Sequence, residues 1–457
     1  MKERSSFTSR VGFVLAAAGS AVGLGNMWRF PYLAAKYGGG AFLIIYILLA
    51  LTFGFTLMIT EIALGRRTRL SCIEAFKSLD RRFAALGWLS ALIPVIITPY
   101  YCVIGGWVMK YLSEFAAGNG LAASDDAFFG NFIGSAGAGI MDRPMSWFLV
   151  FVLMTAIVVL LGVEKGVEKA SRVMMPVLVL LSIGISVYSL TLPGAMGGLK
   201  YYLLPDFSDV SVTTILAAMG QLFYSMSLAM GIMITYGSYM KKEDNLEKSV
   251  AQIEIFDTGI AFLAGLMIIP AVVAFNGGDA SLIRGKAGPG LMFGVLPKVF
   301  ESMSMGGFIG GMFFLLVLFA ALTSSISLLE TVVSIVSDRA KISRRSATIL
   351  STAVIILLGI PSCLGYGPWA HITILKMQFL DFFDFVSNSV LMPIAAIGTC
   401  IFVCHVLGCK YVEEEVESSG EFKRKKIYRV MIRWVAPVML AAILAGEVLK
   451  YFGIISI

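Results

Sequence analysis

Long apolar runs divide this chain almost from end to end, at 11–35, 40–64, 86–112, 145–162, 173–192, 212–237, 250–275, 306–336, 347–362, 379–408 and 431–452. Each of these about eleven runs is roughly long enough to cross a ~30 Å hydrocarbon core. Because a bilayer supplies no water to satisfy backbone N–H and C=O groups, runs of this length have to be helices. The expected fold is therefore an all-α membrane protein. Composition agrees, since 58% of the residues are hydrophobic and 14% are charged, whereas soluble domains carry roughly 25% charged residues. The run at 145–162 is the shortest and 379–408 contains Asp381 and Asp384, which leaves the count open by one.

The basic residues fall on alternate connections. One set of segments holds Lys2, Arg4, Arg10, then Arg66, Arg67, Arg69, Lys77, Arg81, Arg82, then Lys165, Lys169, Arg172, and continues with Lys241, Lys242, Lys248, Arg339, Lys341, Arg344, Arg345, Lys410, Lys423–Lys426 and Arg429. The other set holds chiefly Lys200, Arg284, Lys286, Lys298 and Lys376. By the positive-inside rule the amino terminus is expected in the cytoplasm. The net charge of +7 is then a cytoplasmic face meeting anionic lipid, with no nucleic acid required. The first run is not read as a cleaved signal peptide, because its apolar stretch continues through Asn26, Trp28 and Arg29 instead of stopping at a small-residue cleavage site.

Soluble-enzyme chemistry has little support. No polar tract is long enough for a second domain, so 1–457 reads as a single transmembrane unit. Gly285-Lys286 is followed by Ala287 and lacks the upstream glycine of a phosphate-binding loop, and Gly23-Leu24-Gly25 lacks the third glycine of a dinucleotide fingerprint. The six cysteines follow no disulfide spacing. Cys400, Cys404 and His405 share one helix, where a small apolar lining explains them better than a metal.

The informative irregularities lie in the first and sixth runs. Gly19-Ser20-Ala21-Val22-Gly23-Leu24-Gly25-Asn26 and Ser225-Met226-Ser227-Leu228-Ala229-Met230-Gly231 both place glycine and hydroxyl residues at mid-membrane, where helix propensity is weak. They are corresponding members of two sets of five runs, the pattern of discontinuous helices in an inverted repeat that meet at a midplane site. Small residues also serve plain helix packing. Here, however, Asn26 and Arg29 follow within a few residues, and an arginine at the helix centre costs ~2.5–3.5 kcal/mol without a partner.

Ala18-Gly19-Ser20-Ala21-Val22-Gly23-Leu24-Gly25-Asn26-Met27-Trp28-Arg29-Phe30-Pro31 resembles the first-helix signature of the neurotransmitter:sodium symporter family. The resemblance extends to Gly38–Phe42, to Glu61 before Gly65-Arg66, to Gln221-Leu222-Phe223-Tyr224-Ser225 and to Leu322–Ser327, and covers nearly the whole chain. It implies a five-plus-five inverted repeat with unwound helices 1 and 6, the first repeat at about 8–193, the second at about 211–408, and an additional helix at about 428–453. It also implies a sodium-coupled, alternating-access importer of neutral apolar or aromatic amino acids in a bacterial inner membrane, with Na+ as the coupling ion and no enzymatic step.

Carried over residue by residue, the resemblance assigns one sodium site to the carbonyls of Gly19, Val22 and Ala320 with the hydroxyls of Thr323 and Ser324. Oxygen ligands of this kind suit a hard cation. The other site takes the Ala21 carbonyl, Asn26, Ser225 and a residue of the seventh run. Counting forward from Tyr236–Tyr239 gives Asp257, and counting back from Pro270 differs by one residue. Animal members of the family need chloride for its negative charge; an aspartate would supply that charge internally and make uptake chloride-independent. The substrate carboxylate would meet the amides of Leu24 and Gly25 and the Tyr101 hydroxyl, and its amino group the oxygens around Ala21, Tyr224, Ser225 and Ser227. Ser20, Ile97, Tyr101, Tyr224, Met230, Ser324 and Leu328 would line the side-chain pocket. Gly23 stands where amine transporters of the family carry an aspartate. Ala229 replaces a glycine of relatives, which either shrinks the pocket or stiffens the sixth helix. Arg29 with Asp384 would gate the outside and Arg4 with Asp338 the inside. A transport-deficient sensor of the same fold and an ion channel are the competing readings. The intact cation ligands and gates favour transport over sensing, and no rings of pore-lining oxygens or charges support a channel.

Overall fold

The structure is a computed structural model that describes residues 5–135, 139–208, 210–279 and 288–451. Apart from isolated bridges at Gly39–Pro205 and Ile374–Met377, its regular structure is helical. Among the described residues eight helices are long and apolar enough to cross a membrane: Gly40–Thr68, Arg81–Ala116, Val163–Leu190, Leu246–Phe275, Gly306–Ala340, Arg344–Leu364, Phe379–Leu407 and Lys425–Leu449. A ninth crossing is made by Arg10–Ala21 and Gly25–Lys36, which meet at a 54° bend. The remaining two expected runs are Pro144–Leu160 and the interrupted pair Val212–Ser225 and Ile232–Tyr239. The first falls short by length and the second because its helix is broken, so the eleven runs are all present but only eight are unbroken and full-length. We number them as spans one to eleven in chain order.

The first span starts where Ser9 caps it, its side chain accepting from Gly12 N at 3.1 Å. It stops after Ala21, where Val22 turns to an extended conformation. In the sixth span, residues 226–231 leave the helix, and Ser227 (φ 53°), Ala229 (φ 63°) and Gly231 (φ 71°) lie in the left-handed region. Left-handed backbone disfavours side chains with a Cβ by roughly 1–2 kcal/mol, so Ser227 and Ala229 are held there by their surroundings. The eighth span, Gly306–Ala340, is the most enclosed long helix, with 83% of its apolar window buried. The second span crosses the latter half of the sixth at glycines: a Cβ at Gly65 would overlap Ile234 O, and one at Gly237 would overlap Ile62 O. Small residues permit this backbone approach in a bilayer, where apolar side chains gain nothing by leaving lipid.

The basic ends of the spans are tied by ion pairs. Arg66 is fully buried and donates to Glu415 at 2.6 Å and to Asp244 O at 2.8 Å. Arg344 pairs with the buried Glu330, which also accepts from Tyr239 OH at 2.8 Å. Removing one partner of such a buried pair costs about 3–5 kcal/mol; these contacts therefore fix the relative positions of the second, sixth, eighth and ninth spans at one end of the bundle.

Candidate substrate and cation sites

Unwinding frees backbone groups that a membrane interior leaves no water to satisfy. Their partners here come from side chains of neighbouring spans. Leu24 N donates to Tyr101 OH at 3.3 Å, Gly25 O accepts from Gln221 Nε2 at 3.0 Å, and Ser20 O accepts from Ser227 Oγ at 2.9 Å. Ala229 N donates to the buried Glu61 Oε1 at 2.6 Å, which holds the left-handed segment from the second span. That contact shows how an alanine is held in a left-handed conformation: the Glu61 side chain fixes the strained backbone.

The two breaks face each other across one small cavity of about 30 Å³. Ser20, Ala21, Leu24, Gly25, Ile97, Tyr101, Tyr224, Ser225, Ser227, Met230, Ser324 and Leu328 all line it, and Gly23, Asn26 and Ile232 complete the lining. No acidic or basic side chain contributes to the wall. A larger cleft of about 990 Å³ opens elsewhere, between the second and seventh spans near Arg424. It lies beside outward-facing Leu51 and Ile255, which are 48% and 71% exposed, and its Glu254 is already paired with Arg424 at 2.9 Å. The smaller cavity is the one at which the broken helix ends converge.

Beside it, Asp257 is fully buried. Its Oδ1 accepts from Asn26 Nδ2 at 2.8 Å and from Ser225 Oγ at 2.7 Å, and its Oδ2 from Tyr46 OH at 3.3 Å. These hydrogen-bond partners are all neutral, so a buried carboxylate stands among donors with no counter-charge in contact. That arrangement favours a cation. Asn26 Oδ1 meanwhile accepts from Gly23 N at 3.0 Å, which stiffens the break. Tyr46 had no distinguishing signal in the sequence, being one aromatic in an apolar run. Gln221 and Glu61 were visible as polar residues within apolar runs, but their bonds to the unwound backbone were not.

A second oxygen cluster joins the first and eighth spans. Ser324 Oγ lies 3.4 Å from Gly19 O, 3.2 Å from Ser20 O and 3.3 Å from Val22 O. One hydroxyl proton cannot serve three carbonyls, so this convergence offers acceptors in excess of donors, as a cation site requires. Thr323 Oγ1 lies 3.0 Å from Phe319 O and 3.1 Å from Ala320 O on its own helix, and a Cβ at Gly19 would lie 3.1 Å from the Thr323 Cβ. Among the described residues no group of three or more His, Cys, Asp or Glu could hold a metal ion, and Cys400, Cys404 and His405 form no such group. A cation bound in this cluster would be held mainly by neutral oxygens. Replacing Thr323 or Ser324 by alanine should raise the sodium concentration for half-maximal binding by about tenfold, from ~1–2 kcal/mol per lost ligand. Sodium titrations of purified variants check this, and unchanged midpoints in both would remove the site.

The gates are less symmetrical than expected. Arg29 and Asp384 make no direct ion pair among the described residues. Instead Arg29 lies 5.5 Å from the Tyr224 ring, and Asp384 accepts from Tyr100 OH at 3.1 Å and from Asn388 Nδ2 at 2.5 Å. Neutral donors have taken the carboxylate, and the guanidinium rests on an aromatic face. At the other end Arg4 lies outside the described residues. Its expected partner Asp338 accepts from Ser71 N at 3.0 Å. Phe7 closes that side, packed edge-on against Tyr236 at 5.6 Å, with its N–H donated to Tyr239 O at 3.1 Å.

Comparison with known proteins matches this architecture. The model of the sodium:neurotransmitter symporter family covers residues 4–120 and 127–454. An uncharacterised sodium-dependent transporter of Bacillus subtilis, YhdH, is 36% identical over 98% of this chain and 98% of its own. An uncharacterised sodium-dependent transporter of Methanocaldococcus jannaschii is 33% identical over 96% of this chain and 90% of its own. The human sodium- and chloride-dependent GABA transporter 2 is 25% identical over 98% and 81%. Among solved structures, MhsT in complex with L-phenylalanine superposes with a TM-score of 0.86 at 34% identity, covering 97% of this chain and 100% of that one. On the strength of the matched residues, the chain belongs to the sodium:neurotransmitter symporter family.

Proposed function

We propose that this sodium-dependent symporter imports neutral apolar or aromatic amino acids across a bacterial inner membrane, amino terminus inside, without a requirement for chloride. The observation that carries the reading is the position of Asp257: a fixed carboxylate bonded to Asn26 and Ser225 beside the cavity at the first helix break. Sodium at Asn26 would be balanced by that charge, and would itself face the substrate carboxylate. Helix-end amides favour an anion, and the 3.3 Å contact between Leu24 N and Tyr101 OH marks two donors a carboxylate can share. A Cβ at Gly23 would lie 2.8 Å from Ser324 Oγ and 3.0 Å from Tyr101 OH, which leaves no room for the aspartate of amine transporters. The uncharged wall, with Ile97, Met230, Ile232 and Leu328, suits an apolar side chain. The phenylalanine bound in MhsT supports an aromatic or large apolar ligand.

In alternating access, one ligand-filled state closes the side it entered by before the other side opens. Tyr101, Tyr224 and Arg29 would close the outer side and Phe7, Tyr236 and the Arg4–Asp338 pair the inner side. The repeats at about 8–193 and 211–408 would be the units that move against each other. Purified protein in liposomes with an inward sodium gradient should accumulate labelled phenylalanine or leucine, and unlabelled apolar and aromatic amino acids should compete. Equal competition by lysine, aspartate or γ-aminobutyrate would contradict the substrate class. Binding without accumulation would favour a sensor.

A further inference from the structure

The tenth span ends in two thiols that neither the cavity nor the cation clusters use. Helix geometry widens over Phe402–Leu407, Gly408 (φ 79°) reverses the chain, and a short helix follows at Lys410–Glu417. The reversal brings Cys404 Sγ to 3.3 Å from Cys409 Sγ. Both residues are partly exposed, whereas Cys72, Cys102, Cys363 and Cys400 are buried. A disulfide needs about 2.05 Å between sulfurs, so the pair has only about 1.3 Å to close, across a glycine.

We propose that Cys404 and Cys409 are a redox-sensitive pair, oxidised to an intramolecular disulfide by a low-molecular-weight disulfide such as oxidised glutathione, and that this bond slows transport. Cys409 thiolate attacks one glutathione sulfur, forming a mixed disulfide and releasing one glutathione thiolate. Cys404 thiolate then attacks the Cys409 sulfur, forming the protein disulfide and releasing the second. The two protein thiols give up two electrons to the glutathione disulfide, and their protons end on the two glutathione molecules.

The bond would fix the Gly408 turn between two elements that grip the same end of the bundle. On one side Phe402 packs against Phe76 at 5.2 Å and Phe83 at 4.8 Å, in the segment that begins at Ser71, whose N–H holds Asp338. On the other, the Lys410–Glu417 helix supplies Glu415 to Arg66 and Glu414 to Arg67, at 2.6 Å and 3.3 Å. Coupling through contacts of this kind changes rates by roughly two- to thirtyfold.

The test treats purified protein with glutathione redox buffers, alkylates the remaining thiols and reads the 402–410 peptide by mass. Expected is a peptide two hydrogens lighter, absent in Cys404→Ser and Cys409→Ser, with uptake by liposomes slowed in wild type, restored by dithiothreitol, and insensitive in both variants. Two independently alkylated thiols, or a persistent glutathione adduct on Cys409 alone, would overturn the proposal, as would unchanged uptake by fully oxidised protein. The mass reading does not depend on which substrate is carried, so its failure is separate from failure of the transport assignment.

Discussion

Replacing Gly25 by leucine is expected to abolish amino-acid binding while leaving the bundle folded. The first break needs a residue with no side chain here, because a Cβ alone would lie 2.9 Å from Tyr224 Cδ1 and Cε1. Overfilling a packed site costs about 1–3 kcal/mol. The larger effect is that the isobutyl group would occupy the space between the Leu24 and Gly25 amides and the Tyr101 hydroxyl, where the carboxylate is to sit. Loss of both terms should weaken binding by more than about a hundredfold. Equilibrium binding of labelled phenylalanine at saturating sodium, with the melting temperature as a folding control, reads the effect. Wild-type affinity would show that the carboxylate lies elsewhere.

Asp257→Asn should weaken sodium binding by about 10²–10⁴-fold and make uptake responsive to chloride. In wild type the carboxylate is buried, bonded by Asn26, Ser225 and Tyr46, and touches no basic group. Under the proposed function sodium would be its counter-charge. An asparagine keeps the shape and removes the charge, leaving a cation uncompensated at a cost of about 3–5 kcal/mol. A mobile anion nearby would replace part of what was lost. Uptake measured in chloride and in gluconate should be equal for wild type and higher in chloride for the variant. Strong chloride dependence in wild type would show that Asp257 does not supply the charge.

The sequence carried the fold in the lengths of its apolar runs and the location of the cavity in its two glycine- and serine-rich interruptions. Both signals are local: a run of about twenty apolar residues has few alternatives to a spanning helix, and Gly23, Gly25 and Gly231 weaken one wherever they stand. Counting forward from Tyr236–Tyr239 against the family pattern reached Asp257 on the next helix, and its carboxylate is the one that faces Asn26. What could not be read was pairing across spans. Tyr46 looks like any aromatic in its run, and nothing near Glu61 announces that it reaches Ala229 N. Arg29 and Asp384 show the same limit, since their complementary charge does not reveal that Tyr100, Asn388 and Tyr224 take up both groups.

Two sodium ions moving with one zwitterion would carry two charges inward, worth ~4.6 kcal/mol per 100 mV at ~2.3 kcal/mol per charge. The most direct test of sodium coupling is therefore accumulation of labelled phenylalanine or leucine in liposomes holding only this protein, under an inward sodium gradient, an inside-negative potential, or a proton gradient with choline replacing sodium. Sodium-coupled import predicts accumulation only when external sodium is present, increased by the negative potential and indifferent to replacement of chloride by gluconate. Equal uptake in choline, driven by the proton gradient alone, would contradict it.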